Sequence, residues 1–307
     1  MADTLPAPPA TRPGDVVDAH CHLFALRILE EYVESHPGGA PRFREAVKNR
    51  KFGRHGYTLP DVGPYELAST YAARLDEAGV AKALVVSITP DSQFVREFIS
   101  AANGRVQALC NIDPREPDSP ALLEREMAAG FRGVKLLPVN RCFKLSDPAC
   151  RPFFEKAEEL GANMIIHYGV TVDPAGDLRY ADPIDLSPVA RDHPDLTFVV
   201  AHFGAGYLDQ VLKVAYQCTN VCVDSSGTNN WMDFMSSKMT LADVFERAVG
   251  ALGPSRVIFG TDSGNLAPYR AWISFAQRRI LEEIGLSEKD RDLILRGNAV
   301  RIFGLDG

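Results

Sequence analysis

The sequence predicts an α/β chain closed into a (β/α)8 TIM barrel, with a long insertion after the first strand and a helical C-terminus. Two observations lead there. Eight short apolar runs alternate with segments of helical spacing, and polar residues able to do chemistry stand where those runs end. The runs are Val16 to Asp18, Ala81 to Thr89, Val106 to Asn111, Gly133 to Leu137, Asn163 to His167, Thr197 to His202, Val221 to Ser225 and Val257 to Asp262. Near-continuous apolar strands belong to parallel sheets covered on both faces. Between them, Tyr65 to Ala78, Gln93 to Ala102, Ala121 to Ala129, Pro152 to Leu160, Leu208 to Tyr216 and Leu241 to Leu252 carry helical spacing. Gly79, Gly130, Gly161 and Gly253 read as helix stops. A doubly wound open sheet is the competing architecture, but eight repeats favour closure.

The 307 residues, 46% of them hydrophobic, suffice for one large domain, expected over 15–307 behind a flexible arm at 1–14 that is rich in Pro, Ala and Thr. Residues 23–63 form an insertion long enough to cover a pocket, or else to lie solvated on the surface. A net charge of -7 argues against nucleic acid and against an anionic membrane surface. No run approaches the ~20 apolar residues of a membrane helix. With no signal-like segment either, a cytoplasmic protein acting on a small molecule is expected. Six cysteines, none in a C-x-x-C pair, read as reduced thiols.

The chemistry begins at Asp18-Ala19-His20-Cys21-His22. Residues two apart in a strand share a side, so His20 and His22 can present two imidazoles to one metal ion. His167, His202 and Asp262 end the fifth, sixth and eighth runs, and barrel closure brings the first and eighth together. Imidazole and carboxylate suit Zn2+, and an open position for water marks a catalytic site. His36, His55 and His193 fall in loops and are expected to be solvated.

The chain resembles the amidohydrolase superfamily, in the amidohydrolase-related branch that contains aminocarboxymuconate-semialdehyde-type decarboxylases. The likeness rests on Val17 to His22, Leu75 to Val80, Gly133 to Pro138, Ile166-His167, Ala201 to Gly204, Phe259 to Asp262 and Gly297 to Gly304. It implies one divalent metal, zinc or else manganese, held by His20, His22, His167 and Asp262, with His202 beside it as acid, base or carbonyl polariser. Lys135 stands where binuclear relatives carry a bridging carboxylated lysine, but in the mononuclear branch this lysine need not touch metal, and a hydrogen-bonding or barrel-core role is expected. Leu137 replaces a histidine found in many relatives, which weakens any substrate analogy drawn from strand four.

The expected activity is metal-dependent hydrolysis of an amide, lactone or related carbonyl compound by an activated water, with Asp262 or His202 as base. The alternative is non-oxidative decarboxylation of an unsaturated or aromatic acid at the same centre. A non-catalytic binding barrel is the third reading, disfavoured by the full ligand set. Arg141, Arg179 and Arg270 are candidates to grip a substrate carboxylate, and Tyr168, Asn229 and Trp231 to line the mouth. Resemblance also suggests a homodimer.

Overall fold

A computed structural model of the chain describes residues 16–23, 25–35, 41–52, 57–86, 88, 93–173, 176–264 and 269–305. The arm at 1–14, His36, His55 and Thr89 lie outside the described residues. Eight strands follow in order: β1 Val17–His22, β2 Lys82–Val86, β3 Val106–Asn111, β4 Val134–Leu136, β5 Met164–Ile166, β6 Phe198–Val200, β7 Val221–Asp224 and β8 Val257–Ile258. Each pairs in parallel with the next in sequence. The first and last strands meet through Ala19 N to Phe259 O at 3.1 Å, Asp262 N to His20 O at 2.7 Å and His22 N to Ser263 O at 2.7 Å. The sheet is thus a nearly closed barrel, as the alternation of runs implied.

Helices take the outer layer because each strand must return to the same end before the next can run parallel. The expected helices form, with ends shifted by a residue or two: Pro64–Glu77, Gln93–Ala101, Ser119–Ala128, Arg151–Leu160, Leu208–Gln217 and Leu241–Leu252. Their apolar faces and the outward strand residues share one continuous core. The inside of the barrel is a second cluster, in which Val17, Ala19, Leu84, Leu109, Ile165, Val199, Cys222 and Ile258 meet. The terminal helix Asn298–Phe303 plugs its lower end with Ala299, Ile302 and Phe303. Asn163 Nδ2 donates to Ile302 O at 2.7 Å and Lys82 Nζ to Leu305 O at 2.8 Å, which ties that plug to the strand starts.

β1 contains the local departure that matters most. Its register against β2 shifts between Asp18, opposite Ala83, and Cys21, opposite Val85. Two residues, Ala19 and His20, therefore face the single Leu84, which is a β-bulge. Without it, alternation would turn His20 and His22 to the face opposite Val17 and Ala19. With it, Ala19 stays in the inner cluster, Cys21 packs outward, and both histidines point into the upper barrel.

The insertion contributes α1 Leu26–Ser35 and α2 Pro41–Asn49, which share a small core of Leu26, Leu29, Tyr32, Phe43, Ala46 and Leu59. His193 departs from expectation. It is buried, with Nδ1 2.9 Å from Glu158 Oε2, because its loop folds back onto the helix Arg151–Leu160. All six cysteines are free thiols. Among the described residues no helix is long and apolar enough to cross a membrane.

Candidate metal centre

The residues singled out at the strand ends converge at the upper mouth of the barrel. His20, His202 and Asp262 each offer one donor atom, and those atoms lie within 4.8 Å of one another. His22 Nε2 is 3.0 Å from Asp262 Oδ1, and His20 Nε2 is 3.8 Å from the same oxygen. His167 approaches from β5, its ring 5.2 Å from that of His202. That trio includes His202, which the sequence places beside the metal, while His22 and His167 stand around it.

Backbone geometry aims two of these groups. His202 and Asp262 have φ of 56° and 55°. A non-glycine residue rarely adopts that region, and such departures collect at functional sites. Asp262 N bonds back to His20 O, so the turn that aims Asp262 also seams the barrel.

Electrostatics suits a cation. Burial pulls His20 down to about 3, with Lys135 adding to the shift and Asp224 opposing it. Burial likewise lowers His22 and carries His167 well below the usual histidine range. Neutral imidazoles result, the form that ligates metal. For Asp262, burial favours the acid, but the hydrogen bond with His22, together with the surrounding histidines, outweighs it and holds the carboxyl well below its usual range. His167 Nε2 is buried with no hydrogen-bond partner. A lone buried imidazole nitrogen facing a cluster of neutral donors and one carboxylate is what a divalent cation would satisfy, so the residues fit the metal that the motif implies.

Asp224, at the end of β7, was not singled out from the sequence. Its Oδ2 lies 2.8 Å from His20 Nδ1, and its Oδ1 accepts from His202 N at 2.9 Å and Ser226 N at 3.0 Å. Ser226 Oγ stands 3.0 Å from His20 Nδ1 and 2.8 Å from His202 Nδ1. Burial opposes ionisation of Asp224, yet the pairing with His20 outweighs it and keeps the carboxyl ionised. Donation of the Nδ1 proton to Asp224 leaves the lone pair on His20 Nε2, the nitrogen that faces Asp262. The available signal was positional, since Asp224 ends an apolar run as the histidines do. Asp224→Asn is expected to weaken metal affinity by about 10–100-fold with the fold intact, read by metal titration of apo-protein.

A cavity of about 450 Å³ opens above the cluster. His22, Lys135, His167, His202 and Asp262 line it, together with Asn229 and Trp231 from the loop after β7 and Tyr32 and Phe43 from the insertion. Trp231 Nε1 donates to Asn229 Oδ1 at 2.9 Å, which sets the indole on the wall. The other residues singled out lie elsewhere. Arg179 is exposed and bonded to Asp177, and the Tyr168 hydroxyl bonds Asp185 at 3.3 Å inside the outer core. Arg141 is part-buried off the wall, with burial lowering its pKa and Asp113 opposing that shift. Arg270 Nη2 bonds Asp262 O and stands 3.5 Å from Oδ2, bracing the aspartate.

A sequence model of the amidohydrolase family matches residues 17–305. No curated protein sequence gives a significant match. Solved structures with the same fold include an uncharacterised TIM-barrel protein from Bordetella bronchiseptica, 19% identical, with a TM-score of 0.65 over 94% of this chain and 98% of that one. A 5-carboxyvanillate decarboxylase from Sphingomonas paucimobilis is 16% identical, with a TM-score of 0.64 over 95% and 98%. An amidohydrolase from Burkholderia multivorans with bound zinc is 18% identical, with a TM-score of 0.61 over 95% and 99%.

Proposed function

The chain belongs to the amidohydrolase family, and on that premise we propose that it is a metal-dependent hydrolase acting on a carbonyl group of a small molecule. One observation carries the reading: neutral imidazoles from the ends of β1 and β5, the His202 imidazole from the end of β6 and an ionised aspartate from the end of β8 meet at the floor of one cavity. His20, His22, His167 and Asp262 would hold the cation, with zinc expected and manganese the alternative. The metal would supply a Lewis acid and a water acidified to a pKa of about 7.

The protein's own groups supply orientation and proton transfer. Asp224 fixes the His20 tautomer. His202 Nδ1 lies 3.1 Å from the Ser226 carbonyl, and donating its proton there leaves Nε2 basic, able to take a proton from water and return it to a leaving group. The wall formed by Tyr32, Phe43, Ile88, Val170 and Trp231 holds an apolar body against this floor and excludes water.

Metal analysis by mass spectrometry tests the reading first. Protein purified without chelators is expected to carry about one zinc or manganese per chain. Stripping should abolish turnover across a panel of amides, lactones and aromatic or enoic acids, and re-addition should restore it. Release of CO2 without hydrolysis would assign the same centre to decarboxylation. Metal bound without turnover on any compound would make it a binding barrel.

A further inference from the structure

Lys135 is the one basic side chain of Lys or Arg type on the cavity wall among the described residues. It is 1% exposed, on the inner face of β4, and its Nζ lies 3.4 Å from His20 Nε2. Among the described residues it forms no ion pair with a carboxylate. Asp224 and Asp262 attract it from further away. A buried ammonium whose near contact is a neutral imidazole is costly to keep unless a ligand completes it. Lys135 already lines the cavity above the cluster, within reach of a ligand there.

We propose that Lys135 is the substrate's anion anchor: it binds a carboxylate on the end of the molecule that meets the metal, while the apolar wall takes the rest. The inference rests on the metal-centre reading and adds a substrate class to it, small carboxylates with an apolar body. It also gives the anchoring role to a strand lysine rather than to Arg141, Arg179 or Arg270, none of which lies on the wall.

Calorimetric titration with phenylacetate and its neutral counterpart phenylacetamide tests this. Metal-loaded protein should bind phenylacetate at least tenfold tighter than the amide. Lys135→Met should weaken phenylacetate by about 10–100-fold, as expected for a lost charged hydrogen bond, and leave amide binding and metal content unchanged. Lys135→Gln serves if the methionine variant does not fold. Unchanged phenylacetate affinity in the variant overturns the proposal. So do two metals per wild-type chain that are lost on substitution, since Lys135 would then be a metal-bridging group. The same comparison on metal-free protein separates the two readings. A chain that takes up no metal defeats the proposed function, while the anion preference of wild type over variant still decides the role of Lys135.

Discussion

An Asp262→Asn protein is expected to fold like its parent, to lose at least ~100-fold in metal affinity, and to fall by about 10²–10⁴-fold or more in turnover. The backbone at 262 has φ of 55°, a region that asparagine tolerates as aspartate does, so the substitution leaves the turn unstrained. What changes is charge. Oδ1 faces His22 Nε2 at 3.0 Å and His20 Nε2 at 3.8 Å, and this carboxylate is the one anion in the donor trio of His20, His202 and Asp262. An amide offers a weaker, neutral oxygen to a cation. Arg270, which stands 3.5 Å from Oδ2, keeps its bond to the 262 carbonyl in the variant. Metal titration and circular dichroism on the same preparation separate loss of ligation from loss of fold. Full metal occupancy and activity in the asparagine protein would remove Asp262 from the site.

Gly264→Ala should destabilise the barrel and disturb the site together. Gly264 has φ of +76°, and an added Cβ would stand 2.2 Å from His22 O. The left-handed conformation costs alanine roughly 1–2 kcal/mol. The clash adds to that, because relief requires moving the His22 carbonyl while His22 N bonds Ser263 O at 2.7 Å. Gly161 provides the comparison, since it has φ of +63° and nothing within 4 Å of an added Cβ. Gly161→Ala should cost about 1–2 kcal/mol in denaturant unfolding and leave metal affinity alone. Gly264→Ala should cost clearly more and weaken metal binding among folded molecules. Equal losses in the two variants, with metal binding unchanged in both, would show that the seam does not position His22.

Much of the molecule was legible in its sequence because the signals are local. Strand and helix periodicity depend on near neighbours, and β3 forms over Val106–Asn111 as the apolar run implied. Other runs overshoot. The run Val257 to Asp262 pairs with β7 only at Val257 and Ile258, because the chain then leaves the ladder to turn Asp262 into the mouth. The convergence of His20, His22, His167, His202 and Asp262 followed from one rule, that barrel strands deliver chemistry at their carboxyl ends. The same rule could not tell Arg179, which turns out to solvent, from Trp231, which turns onto the wall. Loop residues have no periodicity to fix their direction.

By itself the sequence determined the eightfold alternation, the order in which the strands close and the donor types gathered at one end, since these depend on pattern and on the handedness of connections. Only the tertiary structure decided which side of β1 the histidines face, because a bulge opposite Leu84 overrides simple alternation. It alone put Asp224 behind His20, 204 residues away in the chain, and placed Lys135 beside the same ring. Those contacts arise from packing across a closed barrel, where hydrogen bonds and burial join residues with no local signal of one another.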